Sequence, residues 1–393
     1  MYIDIRKEIE ALSAETVGLR RDIHAHPELG FREFRTANII ERRLADCGLR
    51  VRRCAGTGVI GVLEGAKPGK TLMLRSDMDA LPLAENNELP FCSQNPGVMH
   101  ACGHDCHVAV QLQVAKLLAA HRDELPGTLV FLFQPNEEEI GAPRMIEQGA
   151  LTDPRPDAIL GMHVWSPIQT GKVGMVSGPC CASSYYFKAT IRGKGTHGCL
   201  PERGVSPIEA GRHVLAAINS MQTMEYGTLD EPTLITVGSL HAGDYMNIIP
   251  DELTMEGSIR CLHRNEAGVH ARFRELVTAV SAAYRCDCDV SLTCGNSMLE
   301  NDAQLAELAR SVAAGVVGEG NIVSEGVREM GGDDLAEFFL AGIPGFYYLV
   351  GMGNRAKGSD AAHHSRDFRV DEDVLDLCVE LQARIALTYL DAL

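Results

Sequence analysis

Met99-His-Ala-Cys-Gly-His-Asp-Cys-His107 gathers thiol and imidazole groups more densely than any other stretch of the chain. Cys102 and His104 stand two apart, so an extended backbone would turn both side chains to one face, as two ligands of one metal centre require. A structural zinc knuckle is the other use of such a cluster. It needs four ligands in two spaced pairs, and Cys102, His104, Cys106 and His107 are too crowded to close around one tetrahedral ion. Three further groups offer ligand chemistry. Gln134-Pro-Asn-Glu-Glu-Glu139 follows the apolar run Leu129–Phe133, His163 ends Gly161-Met-His163 just after Ala158–Leu160, and His363-His364-Ser-Arg-Asp-Phe368 lies near the C-terminus. Singly, each has an ordinary reading, since charge runs usually face water and a lone histidine is usually a satisfied strand-edge residue. Together they place ligand-type residues just past strands, or in a loop, of one layer. That is the pattern of a dinuclear hydrolytic centre.

Such a centre needs a scaffold that ends several buried strands at one edge. Residues 5–24 read as an amphipathic helix stopping before His26-Pro27, and 36–47 as a second helix stopping at Gly48. Short apolar segments follow at Val59–Leu63, Thr71–Leu74, Thr128–Phe133 and Ala158–Met162. Between them Val110, Val114, Leu117 and Leu118 mark a helix by their spacing. Buried strands alternating with helices predict an α/β layer, a mostly parallel sheet flanked by helices. The pattern changes after Ser177-Gly178-Pro179. Phe187, Ala189 and Ile191 alternate with polar residues, a helix runs from Pro207 to Met221, and strands are expected near Thr233–Leu240 and Leu253–Cys261. A helix through Val269, Phe273 and Val277 and a strand at Asp287–Thr293 complete the order β-α-β-β-α-β. This is a ferredoxin-like α+β unit. The expected organisation is a first domain of 1–183 and 295–393, with 184–294 inserted in it.

A chain of 393 residues suits two domains, and 45% hydrophobic with 23% charged residues is ordinary for a globular protein. A net charge of -17 disfavours nucleic acid and anionic membranes as partners. The segment MYIDIRKEIEALSAE has no apolar core of a secretory signal, and no run of about 18 apolar residues could span a bilayer. Thirteen cysteines without an export signal read as reduced thiols or ligands. A cytoplasmic location is expected.

Several motifs in one order resemble the hippurate hydrolase and indole-acetyl-amino-acid hydrolase family, within the wider aminoacylase and carboxypeptidase G group. They are Arg75-Ser-Asp-Met-Asp-Ala-Leu-Pro82, Met99-His-Ala-Cys-Gly-His-Asp105, Gln134-Pro-Asn-Glu-Glu138 and Gly193-Lys-Gly-Thr-His-Gly198. Arg21-Asp-Ile-His-Ala-His-Pro-Glu28 and Asn247-Ile-Ile-Pro-Asp251 fit as well, and the resemblance runs from about residue 5 to 390.

The resemblance implies a zinc-peptidase-like catalytic domain with an inserted lid and dimerisation domain, acting as a homodimer or a dimer of dimers. It implies that Cys102, His104, Glu138, His163 and His364 bind two divalent ions, manganese or zinc foremost, with cobalt or nickel compatible with the donors. Cys102 would bridge them where the wider group uses an aspartate. His364 is chosen over His363 because His364 to Phe368 matches the family spacing. Asp79 matches the acid that orients a ligand, and Glu137 the general base. His197 matches a residue that reaches a neighbouring subunit's site, and Asn247 and Arg260 match contacts to the substrate carboxylate. The implied reaction is hydrolysis of the amide of N-acyl or N-aroyl amino acids, releasing a carboxylic acid and an amino acid.

Other activities would use the same residues. A dipeptidase or carboxypeptidase needs the same machinery, and a metal-binding sensor or scaffold would keep the ligands without catalysis. Glu137 beside the five ligands argues against the last, because a mere binder needs no base. The chain also departs from the family pattern at Cys106, at Glu139-Ile140, at Ser206 and at Asp333-Asp334, which bears on substrate preference rather than reaction type. His24 and His26 are expected to serve a helix end. Cys180-Cys181 and Cys286-Asp-Cys288 are expected to behave as small hydrophobes. Trp165 could wall the acyl pocket or simply pack, and Gly331-Gly332 is expected to serve a turn.

Overall fold

The computed structural model describes residues 5–227 and 229–392, and the chain divides into two compact units. The first comprises Met1–Gly178, Glu300–Arg328 and Asp334–Leu393, the second Pro179–Leu299 and Glu329–Asp333. The chain opens with α1 (Arg6–Ala25) and α2 (Phe34–Asp46), followed by β1 (Arg50–Cys54), β2 (Gly58–Glu64) and β3 (Lys67–Asp77). Next come α3 (His104–Ala120), β4 (Pro126–Gln134), α4 (Ala142–Glu147), β5 (Ala158–Gln169) and β6 (Val173–Gly174). The middle of the chain holds β7 (Gly178–Cys181), β8 (Ser183–Arg192), β9 (Thr196–His197), α5 (Pro207–Met224), β10 (Thr233–Ala242), β11 (Ile248–Ile249), β12 (Glu252–Cys261), α6 (Glu266–Ala283) and β13 (Asp287–Asn296). It closes with β14 (Leu299–Asn301), α7 (Ala303–Val317), β15 (Ile322–Val323), α8 (Leu335–Leu340), β16 (Gly345–Gly353) and α9 (Leu375–Asp391).

In the first unit an eight-stranded sheet runs in the order β1-β2-β4-β3-β5-β16-β6-β15. Its centre, β4-β3-β5-β16, is parallel, as the apolar runs predict. Leu129 to Phe133 of β4 are all buried, because a central strand of a layered sheet loses water on both faces. The antiparallel edge strand β1, paired with β2, is not legible in the sequence, since Arg50-Val-Arg-Arg-Cys54 is mostly polar. α3 is buried at every position from His104 to Ala115. A helix enclosed this completely has no wet face, and its residues pack into the same core as α1 and α9.

The second unit has a four-stranded antiparallel sheet in the order β10-β12-β8-β13. With α5 and α6 this is the ferredoxin-like arrangement expected from the sequence. Phe187, Ala189 and Ile191 face a core shared with Val214 and Ile218 of α5 and with Val269, Phe273 and Val277 of α6. The alternate residues Tyr186 and Lys188 are exposed. Segment 329–333 falls in the second unit, whereas the sequence places it with 295–393 in the first. Backbone bonds explain the difference: Ala182 N–H donates to the carbonyls of Glu329 and Gly331, and Glu329 N–H to that of Cys180.

Candidate metal centre

Cys102 and His104 do meet at one site, but not by strand alternation. Gly103 has φ 97°, and α3 begins at His104, so a left-handed turn onto a helix start brings the two side chains together. A Cβ at position 103 would stand 2.5 Å from Cγ2 of Val164. Glycine is therefore required for both its backbone and its size.

His104 Nδ1 donates to the Asp79 carbonyl at 3.0 Å and lies 3.2 Å from Asp79 Oδ1. That fixes the tautomer and leaves Nε2 free, and Nε2 is buried without a hydrogen-bond partner. The Nε2 of His163 lies 3.5 Å from Cys102 Sγ, and its Nδ1 donates to the Val164 carbonyl at 2.7 Å. Ligand atoms of Cys102, His104 and His163 thus form one close group, and those of Cys102, Glu138 and His364 form another. His364 Nε2 is 3.2 Å from Glu138 Oε1. The sulfur of Cys102 belongs to both groups. The adjacent His363 also borders the sulfur, with Nδ1 3.9 Å from Cys102 Sγ, but its Nε2 accepts from Ser166 N–H at 3.2 Å and its ring stacks on Trp165 at 4.4 Å. Burial, with His364 and His107, pushes His363 down to about 3, so it stays neutral.

Two triads sharing one thiol, the first of them holding the orphaned His104 Nε2, fit a pair of divalent cations. The electrostatics agree. Burial drives the Cys102 thiol well above its usual range, and Glu138 adds to the push. Burial and the neighbours His107 and His363 hold His163 well below the usual range. A cation favours the thiolate and the neutral imidazole together, and so suits both groups.

The acidic pair is set by a second strained turn. Beyond β4, Asn136 adopts φ 57°, and Glu137–Glu139 form a single 3₁₀ turn. The Asn136 N–H donates to Glu33 at 3.0 Å, and Thr57 Oγ1 donates to the other oxygen of that carboxyl at 2.5 Å. Gly30 makes room, since a Cβ there would meet Asn136 Oδ1 at 1.8 Å. The Glu138 N–H donates to Asp79 Oδ2 at 3.1 Å. Glu137 points its Oε2 to within 3.9 Å of His104 Nε2. Asp79 therefore braces His104 with one oxygen and the Glu137-Glu138 turn with the other.

Two groups beside the centre escaped the sequence. The sequence shows His107 only as part of a crowded cluster, yet its Nδ1 donates to Asp77 Oδ1 at 2.6 Å and its Nε2 accepts from Val164 N–H at 3.1 Å. Its position three residues after His104 on one helix was the available signal. Burial would raise the Asp77 carboxyl, but His104, His107 and Arg75 outweigh it and hold it well below the usual range. The helix-end position of His24 predicts contact with terminal carbonyls. Instead its Nδ1 meets Asp105 at 2.8 Å and its Nε2 meets Glu85 at 3.2 Å, beside the buried Arg20–Asp105 pair. His26 takes the expected role, bonding the Asp22 carbonyl at 2.8 Å. Cys106 is fully buried in the apolar core, and Ser206 caps α5 by accepting from Glu209 N–H.

His197, Asn247 and Arg260 belong to the second unit. His197 lies on the β9-β11 ribbon opposite Ile248, exposed, and its Nδ1 accepts from Cys199 N–H at 3.1 Å. In the neutral ring the proton is then on Nε2. Asn247 is exposed, with its carbonyl taken by Gly198 N–H, and Arg260 donates to the Met330 carbonyl at 2.8 Å.

Residues 73–388 match the model of the peptidase family M20/M25/M40. The chain is 33% identical to thermostable carboxypeptidase 1 of Saccharolobus solfataricus, covering 98% of each. It is 36% identical to the IAA-amino acid hydrolase ILR1-like 2 of Arabidopsis thaliana, over 95% of this chain and 85% of that protein. Among solved structures, a dinuclear metal binding peptidase from Bacillus subtilis superposes with a TM-score of 0.85 at 30% identity, covering 98% of this chain and 100% of that one.

Proposed function

Because the chain belongs to the peptidase family M20/M25/M40, we propose that Cys102, His104 and His163 hold one divalent ion, Cys102, Glu138 and His364 a second, and Glu137 carries the proton. The enzyme is a dinuclear metal-dependent amidohydrolase that cleaves the amide bond of N-acyl amino acids. The observation that carries the residue assignment is the single thiol shared by two donor triads, with Glu137 beside them. Bound there, two divalent ions supply a lowered pKa for water and a polarised scissile carbonyl.

The chain's own residues do the rest. Glu137 accepts a proton from the attacking water as its oxygen bonds to the carbonyl carbon. It then delivers that proton to the amide nitrogen as the C–N bond breaks, so one group serves as base and then acid. Asp79 holds His104 and the Glu138 amide through both steps. His197, with its proton on Nε2, is suited to steady the carbonyl oxygen as it gains charge. We assign that role to a partner subunit's histidine in a homodimer or dimer of dimers built through 184–294, the lid of a catalytic domain formed by 1–183 and 295–393. Asn247 and Arg260 are assigned to the substrate carboxylate.

Manganese or zinc is the proposed metal, on the strength of a thiolate with imidazole and carboxylate donors. The cytoplasm is the proposed location, supported by thirteen free cysteines. No helix among the described residues is long and apolar enough to cross a membrane. The carboxypeptidase relative favours peptides as a second substrate class. Metal-stripped protein reconstituted in turn with manganese, zinc, cobalt or nickel, and assayed on hippurate, N-acetyl amino acids and dipeptides, tests the reading. Turnover of N-acyl amino acids with two bound equivalents is expected. Hydrolysis of dipeptides alone would transfer the assignment to the peptidase reading, and no turnover with any metal would favour a binding role.

A further inference from the structure

A buried line of hydrogen bonds that does not include Asp79 leads to the centre, and no step of the reaction uses it. Asp334, at the start of α8, accepts from Arg75 Nη2 at 3.0 Å, from Gln134 Nε2 at 2.6 Å and from Ala142 N–H at 2.9 Å. Arg75 donates through Nη1 to Asp77 Oδ2 at 2.7 Å, and Asp77 Oδ1 accepts from His107 Nδ1 at 2.6 Å. With its proton on Nδ1, His107 presents a lone pair on Nε2, which accepts the Val164 N–H at 3.1 Å. Every side chain in this line is buried.

The line ends where β5 needs it. β3 pairs with β5 only as far as Arg75 opposite Gly161. Further along, the Val164 N–H points to His107 instead of to a neighbouring strand, and an amide buried there must find some acceptor. The Val164 carbonyl in turn accepts from His163 Nδ1 at 2.7 Å, which aims Nε2 at Cys102. The rings of His107 and His163 lie 4.4 Å apart, edge to face.

We infer that His107, held by the Asp334–Arg75–Asp77 line, is the positioning residue for His163: it anchors the Val164 amide and so fixes the backbone whose carbonyl sets the His163 ring. His107 is not a ligand itself, since both ring nitrogens are engaged. Asp79 does for His104 what this longer line does for His163, so each imidazole of the Cys102–His104–His163 group has its own brace. The inference rests on the dinuclear reading above.

Two substitutions separate the halves of the His107 ring. His107→Gln places an oxygen near the position of Nε2 and can still accept from Val164. His107→Asn mimics the Nδ1 side, facing Asp77, and leaves Val164 without an acceptor. His107→Leu removes both. Metal content of each protein is measured by mass spectrometry, with affinities from competition against a chelator and circular dichroism to confirm folding. Wild type and the Gln variant are expected to hold two equivalents with similar affinities. The Asn and Leu variants should hold one equivalent normally and the other about 10–100-fold more weakly, the range for lost support of a metal ligand. If the Leu variant does not fold, the Gln and Asn pair still decides. Equal behaviour of Gln and Asn, or equal weakening of both equivalents, would overturn the inference and leave the dinuclear reading intact. A wild-type protein that binds fewer than two equivalents would overturn both.

Discussion

Glu137 and Glu138 are adjacent in sequence and yet turn to different partners, Glu137 toward His104 and Glu138 toward His364. The left-handed Asn136 before them and the 3₁₀ turn they occupy create that divergence. Glu137→Gln should therefore keep both metals and lose about 10²–10⁴-fold in turnover, the usual contribution of a general base. Metal analysis beside kcat checks it, and near-normal metal with a rate within about tenfold of wild type would refute the role. Cys102→Ser tests the shared sulfur. A neutral hydroxyl replaces a thiolate poorly, so both equivalents should weaken together in a chelator titration. Loss of one alone would make the thiol a terminal ligand. At this scale the sequence was most informative about which residues the fold gathers, Cys102 with His104 and His163, and Cys102 with Glu138 and His364. It was least informative where a bond depends on folding, because nothing in the order of residues joins His107 to Val164, or His24 to Glu85.

Elements determine how far each turn can strain. The Cys102-Gly103-His104 segment reads as extended by spacing, but α3 starts inside it, and the price is a left-handed residue that only glycine accepts at low cost. Gly103→Ala should destabilise the protein by about 1–3 kcal/mol, combining left-handed strain with a methyl pressed on Val164. Thermal melts should show this, with metal affinity falling in parallel. A variant with unchanged melting and metal content would remove the turn from the argument. The Glu33 carboxyl makes a second element-scale case. Burial raises it to about 7, against opposing hydrogen bonds from Thr57 and Asn136. Between about 4.5 and 7 the folded chain keeps a proton that the unfolded chain has released, so this group's contribution to stability falls as pH rises through that window. Glu33→Gln keeps an acceptor for Asn136 and cannot ionise. Its melting temperature should decline less than that of wild type from pH 5 to 8, and an identical decline would show that Glu33 does not titrate there. Helical spacing made α3 and the second-unit helices legible, and an unbroken apolar run made β4 so. The polar β1 and the two-residue strands β6, β9, β11 and β15 carry too few residues or too little contrast to register.

For the whole molecule, the proposed ligands all lie in the first unit, so a part for the second in the reaction must come through side chains other than the ligands. The ferredoxin-like order could be read because its strands have one wet face each, whereas the allegiance of 329–333 could not, since it depends on backbone bonds to Ala182 and Cys180. His197 is the residue through which that unit can be tested. It is exposed, sits between Thr196 and Gly198 on a two-residue strand, and carries its neutral-ring proton on Nε2. A histidine that merely closed the β9-β11 ribbon through its Nδ1 bond to Cys199 would look the same, so a single substitution cannot distinguish the roles. Mixing two inactive proteins can. His197→Ala subunits and Glu137→Gln subunits, allowed to exchange, form mixed dimers in about half of all cases. If His197 serves the neighbouring subunit, each mixed dimer contains one intact site and one with both lesions, and about a quarter of wild-type activity should return. If His197 serves its own subunit, every site keeps one lesion and activity stays at the level of the separate variants. Failure to recover activity, with exchange confirmed by native mass spectrometry, would place His197 in its own subunit's chemistry or in the ribbon alone.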